Sequence, residues 1–112
     1  MTVDDNAKMR AMVKRMLAPV ADQFHECSDG SEAVVAYEKY RPDWTVMDIV
    51  MKEVDGITAT KAIKQSFPEA KIIILTQHND PRLREEAMSA GAFEFVLKEN
   101  LIDIARIIAQ TT

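Results

Sequence analysis

The apolar positions along the chain change period several times, and each change marks a new element. Thr2-Val3 is a stub of extended chain ending in Asp4-Asp5. Met9, Met12, Val13, Met16, Leu17 and Val20 then recur at helical spacing, with Lys8, Arg10, Lys14 and Arg15 mainly on other faces. Phe24 to Cys27 reads as a short strand, and Ser28-Asp29-Gly30-Ser31 turns into a second helix through Tyr40. Arg41-Pro42-Asp43 breaks that helix, because proline disfavours helical geometry in the residue before it. Trp44 to Met47 is a third strand. After Gly56 a third helix carries Ile57, Ala59, Ile63 and Phe67 and stops at Pro68. Ile72 to Leu75 is apolar without alternation, the pattern of a strand buried on both faces. Asn79-Asp80-Pro81 supplies an N-cap and an N1 proline for a fourth helix, and Gly91 is placed to end it. Phe93 to Leu97 is a fifth strand, and Leu101, Ile104, Ala105 and Ile108 stripe a last helix.

Strand-helix alternation at this short spacing predicts parallel strands joined by right-handed crossovers, with helices on both faces of the sheet. The expected fold is a doubly wound α/β domain. All strand ends then share one edge, where ligands collect at the point of order reversal. At 112 residues the chain fits one domain that buries a core without disulfide or metal staples. A net charge of −4 argues against nonspecific nucleic-acid binding. Cys27, the single cysteine, suits a reducing compartment. The opening MTVDDNAK lacks a signal-peptide core, and no apolar run approaches membrane-spanning length. A soluble cytoplasmic domain is the expectation.

Chemistry concentrates at the strand ends. Asp4-Asp5 follow the first strand and Asp48 the third; Thr76 ends the fourth and Lys98 the fifth. Parallel topology gathers these three acids, one hydroxyl and one ammonium on a single rim. Clustered carboxylates favour proton uptake or a cation, and an all-oxygen set favours Mg²⁺. A carboxylate is also a nucleophile for phosphorus, given metal and ammonium charge around the phosphoryl oxygens. The rim therefore reads as a phosphoryl acceptor.

At these residues the chain resembles the receiver domains of two-component response regulators. The matching pieces are VDDN at residues 3–6, MDIVM at 47–51 with Asp55-Gly56, Leu75-Thr76, and GAFEFVLKEN at 91–100. Any one piece is weak, and the ordered set across nearly the whole chain is strong. The resemblance implies a flavodoxin-like five-stranded sheet of order 2-1-3-4-5. It implies Asp48 as the phosphorylated residue, with Asp5, Asp48 and the Val50 carbonyl as Mg²⁺ ligands and Asp4 assisting through water. Lys98 would pair with the phosphoryl group, and Thr76 and Phe95 would report its arrival.

The implied partners are a histidine kinase or a histidine phosphotransfer domain. A downstream effector or a second copy would meet the face built by the fourth helix, fifth strand and fifth helix. No direct nucleic-acid contact and no membrane insertion are implied. Residues 1–112 read as a single receiver domain without an output domain.

Several positions depart from the family's pattern. The first strand is unusually short, which leaves its neighbours' edges partly unpaired and predicts reduced stability or strand exchange. Lys52 stands where a proline is common, and Gln77 where a small residue is frequent. Gln77 and the apolar Val50 both point to slow loss of a bound phosphoryl group. His25 and His78 have no partner set for a metal. The methionines read as core fillers.

Each site residue also has an ordinary reading alone: Asp48 as a loop cap, Asp4-Asp5 as helix caps, Thr76 as a strand end, Lys98 as a solvated lysine, Phe95 as permanent core. Two rival functions remain at this stage. One is a receiver-like module that binds partners without phosphorylation. The other is a phosphatase of the haloacid dehalogenase type, which places a second aspartate two residues after the first, where this chain has Val50.

Overall fold

The computed structural model describes residues 1–111. Its strands are β1 (Thr2–Val3), β2 (Glu26–Cys27), β3 (Thr45–Met47), β4 (Ile72–Thr76) and β5 (Glu94–Leu97). They alternate with α1 (Ala7–Leu17), α2 (Gly30–Tyr40), α3 (Gly56–Ser66), α4 (Pro81–Ser89) and α5 (Asp103–Thr111). The sheet order is β2-β1-β3-β4-β5, and every pairing is parallel. The flavodoxin-like arrangement expected from the sequence is the one observed.

Strand side chains alternate between two cores because successive residues face opposite sides of a sheet. Val46, Ile73, Leu75 and Val96 pack with Met9, Val13 and Leu17 of α1 and Ile104, Ile107 and Ile108 of α5. Val3, Met47, Ile72, Ile74 and Phe95 pack with Ala33 and Tyr37 of α2, Ala59 and Ile63 of α3, and Ala87 of α4. The central run Ile72 to Leu75 is buried throughout, as its unbroken apolar character requires.

Helix starts follow local chemistry. Asn6, Asp29, Asp55 and Asp80 each accept backbone N–H bonds as N-caps. Pro81 opens α4, where its missing N–H costs nothing.

Several details differ from the sequence expectation: Phe24, His25, Trp44 and Phe93 lie outside β2, β3 and β5, and Phe67 lies just past α3. Helix α1 stops at Leu17, so Val20 lies beyond it, and Met12 points outward at 47% exposure. Met12 and Met88 are therefore surface residues and not core fillers. Gly56 begins α3 and does not precede it. Leu101 lies ahead of α5, whose buried stripe is Ile104, Ile107 and Ile108.

The short β1 makes more contacts than its two residues suggest. Thr2 N–H and Asp4 N–H donate to His25 and Cys27 carbonyls, and Val46 and Asp48 N–H donate to the Met1 and Val3 carbonyls. Met1 and Trp44 extend the pairing further, the Met1 amine donating to the Trp44 carbonyl at 2.8 Å. Both sides of β1 are thus satisfied over its length.

Ile63 is wholly buried between α3 and the sheet. We expect Ile63→Ala to lower the unfolding free energy by about 2–5 kcal/mol, measured by urea titration. A loss below about 1 kcal/mol would contradict this packing.

Candidate functional site

The site lies beyond β1 and β3, the adjacent strands at which the order reverses. Asp48 is the first residue past β3 and is only 7% exposed. Its Oδ1 accepts the N–H of Ile49 at 2.8 Å. Its Oδ2 faces the Lys98 ammonium at 3.4 Å. That ammonium also reaches Asp4 Oδ2 at 3.2 Å, so a single cation bridges acids from two strands.

Asp4 is buried and fully engaged. Its Oδ1 accepts the Asn6 N–H at 2.8 Å, and its backbone carbonyl accepts from Arg10 Nη1 at 2.6 Å. Arg10 is in turn held by Glu26 at 3.1 Å. Asp5 is exposed beside this pair, and carboxylate oxygens of Asp4, Asp5 and Asp48 lie within 4.8 Å of one another.

Three carboxylates against one ammonium leave negative charge uncompensated. Burial pushes the Asp48 carboxyl up to about 6, and repulsion from Asp4 adds to that, while Lys98 and the Ile49 N–H pull the other way. The donor set is oxygen throughout, so it fits Mg²⁺ better than a softer metal.

The remaining positions fall around this centre. Thr76, wholly buried, closes β4, and its Oγ1 accepts the His78 N–H at 3.2 Å. Val50 is exposed in the loop just past Asp48, and Gln77, His78 and Lys52 are exposed at the same edge. Phe95 is buried in β5, with the Arg84 guanidinium 5.7 Å from its ring centre. His25 stacks on Tyr40 at 3.7 Å, away from the acids.

Sequence reasoning missed how the loop after Asp48 is held. In the sequence Asp29 shows only as part of a turn. Its buried carboxylate accepts from Ser31, Glu53 and Val54 N–H groups at 2.9–3.1 Å. These bonds hold its pKa well below the usual carboxylate range, those from Glu53 and Ser31 contributing most. Gly56 packs directly on the Asp48 carbonyl, where a Cβ would overlap the oxygen, and its N–H donates to the Ile49 carbonyl at 2.8 Å. The signal available was Asp29-Gly30 and Asp55-Gly56, two acid–glycine pairs, each at a helix start.

Such a parallel sheet, with an acidic cluster and a lysine at its carboxyl edge, has the architecture of a receiver. The model of the response regulator receiver domain family matches residues 1–111, and the chain belongs to that family. It is 41% identical over 99 residues to the chemotaxis protein CheY of Bacillus subtilis, covering 86% of this chain and 81% of that protein. It is 36% identical to the transcriptional regulatory protein DegU of Brevibacillus brevis, covering 96% of this chain but 48% of that protein, about half its length. A LuxR-family two-component response regulator from Aurantimonas superposes with a TM-score of 0.91 at 30% identity, over 99% of this chain and 81% of that one. Receiver domains are signalling domains and not conventional enzymes, which sets the phosphatase reading aside. Among the described residues, no helix is long and apolar enough to cross a membrane.

A carboxyl raised from 3.8 to about 6 contributes most stability while it is protonated, and that contribution is lost as pH rises through this window. We expect Asp48→Asn to be more stable than the parent by roughly 1–2 kcal/mol at pH 8 in the presence of chelator. The difference should shrink as pH falls from about 6 to 4, in urea melts. A parent more stable than the variant at pH 8 would contradict the charge balance described.

Proposed function

We propose that this receiver domain is a phosphate-operated switch in which Asp48 accepts a phosphoryl group from a phosphohistidine. The donor is a sensor histidine kinase or a histidine phosphotransfer domain. The observation that carries this reading is the Lys98 ammonium 3.4 Å from Asp48 Oδ2. It sets a cation beside the attacking oxygen, within reach of the phosphoryl oxygens over which charge is spread in the transition state.

In the proposed step an Asp48 oxygen–phosphorus bond forms as the phosphorus–nitrogen bond breaks. The electron pair of the broken bond stays on the imidazole nitrogen. If the ring's other nitrogen is protonated, neutral histidine leaves and Asp48 is left as an acyl phosphate. Lys98 then turns from the carboxylate toward the new phosphoryl oxygens. Asp5, Asp48 and the Val50 carbonyl would hold Mg²⁺, with Asp4 assisting, and the ion would supply positive charge to the transferring group. The Thr76 hydroxyl, whose Oγ1 accepts the His78 N–H, donates its own hydrogen to a phosphoryl oxygen.

Output follows from this rearrangement. A cleft of about 540 Å³ lies between α4, β5 and α5, lined in part by Pro81, Arg84, Phe95 and Ile107. Thr76 ends β4, and Phe95 lies in the adjacent strand two positions back in register, since Ile74 stands opposite Phe95 and Thr76 opposite Leu97. A shift of Thr76 toward the site frees space along this register for Phe95 to move inward. The face presented to an effector or to a second copy then changes. Differential contacts in two states are what a switch requires.

Mixing the chain with Mg²⁺ and acetyl phosphate, followed by intact-mass measurement, tests the reading. One phosphoryl adduct should form, absent in Asp48→Asn and slowed on the order of 100-fold in Lys98→Ala. An adduct that survives Asp48→Asn, or no adduct under any condition including beryllofluoride, would contradict it.

A further inference from the structure

The acidic cluster sits on rigid strand ends, but one proposed metal ligand, the Val50 carbonyl, lies in the loop between β3 and α3. A backbone ligand is useful only if its loop is held in place, because cation sites depend on ligand geometry. We propose that Asp29 is the positioning residue for that loop, setting the Mg²⁺ affinity of a site it does not touch. The inference rests on the metal reading above and adds to it a residue from a different strand–helix junction.

Three observations converge. Asp29 reaches 24 residues along the chain, its Oδ1 accepting from Glu53 N–H at 3.0 Å and its Oδ2 from Val54 N–H at 3.1 Å. An aspartate serving only as an N-cap needs a bond within its own helix; Asp29 makes that bond as well, its Oδ2 accepting the Ser31 N–H at 2.9 Å beside the Val54 N–H. Gly30 then brings α2 against the same loop: a Cβ there would overlap the Val54 carbonyl oxygen. Further along, Gly56 N–H donates to the Ile49 carbonyl at 2.8 Å and closes the loop at its base. Residues 50–55 are thus pinned at the base and at Glu53-Val54, and Val50 lies between the two fixed points. Releasing the Asp29 anchor leaves the base closed but lets the intervening carbonyls turn.

The same side chain therefore has two separable jobs. Asp29→Ser keeps a short oxygen able to cap α2 but too short to reach Glu53 and Val54. Asp29→Ala removes both functions. We expect Mg²⁺ binding, measured by calorimetric titration with MgCl₂, to weaken about tenfold in both variants. Stability in chelator should fall in both variants, which lose the bonds to Glu53 and Val54, and fall further in the Ala variant, which also loses the cap. In amide NMR spectra of Asp29→Ser, the Glu53 and Val54 resonances should move or broaden while those of β3 stay in place.

An affinity within twofold of the parent in Asp29→Ser overturns the inference, as does an affinity that simply follows stability across the two variants. If the parent chain itself fails to bind Mg²⁺, the metal reading falls and this inference falls with it. Should Asp29→Ala not fold, the Ser variant alone decides the matter.

Discussion

Repulsion among Asp4, Asp5 and Asp48 is the constraint on which the functional edge depends. At about 4.8 Å and an effective dielectric near 20, each pair of unit charges repels by on the order of 3 kcal/mol. Lys98 meets two of the acids and offsets part of that energy, but one ammonium cannot neutralise three carboxylates. Asp48 carries much of the remainder, its carboxyl pushed up by burial and by the neighbouring Asp4. The edge is therefore held in a state that a further positive charge or a neutralised acid relieves. Cation binding and protonation of Asp48 are the two routes to that relief.

The fold creates the crowding at little conformational cost. Parallel pairing of β1 with β3 places Val3 opposite Met47, so the next residues, Asp4 and Asp48, emerge side by side. β5 delivers Lys98 from the far side of β4, and Thr76 closes β4 between them. Gly56 packs tightly on the Asp48 carbonyl, and Gly30 brings α2 against the following loop. Helices on both faces supply the hydrophobic burial that holds a charge-strained edge in place.

Much of this was legible in the sequence, for identifiable reasons. The unbroken run Ile72 to Leu75 could only be a strand covered on both sides, and the recurrence of strand and helix signals fixed the layer architecture. Once strands are parallel, acids and lysine at strand ends must share an edge, so Asp4, Asp5, Asp48, Thr76 and Lys98 were found together. Less legible were Met12 and Val20, because an apolar residue at helical spacing fits a surface turn as readily as a core stripe. The loop anchor was hidden for a different reason. Asp29 bonds to residues 24 and 25 positions away, and no local pattern distinguishes such an aspartate from an ordinary helix cap.

The most direct test of the central claim is the thermal stability of the parent chain and Asp48→Asn with and without Mg²⁺. If charge crowding governs the edge, the parent melt rises with Mg²⁺ in a saturable way, by about 1.4 kcal/mol at a concentration ten times the dissociation constant. The Asn variant, already relieved of one charge, responds much less. Equal responses in both chains, or none in either, would contradict the claim that crowded carboxylates govern this site.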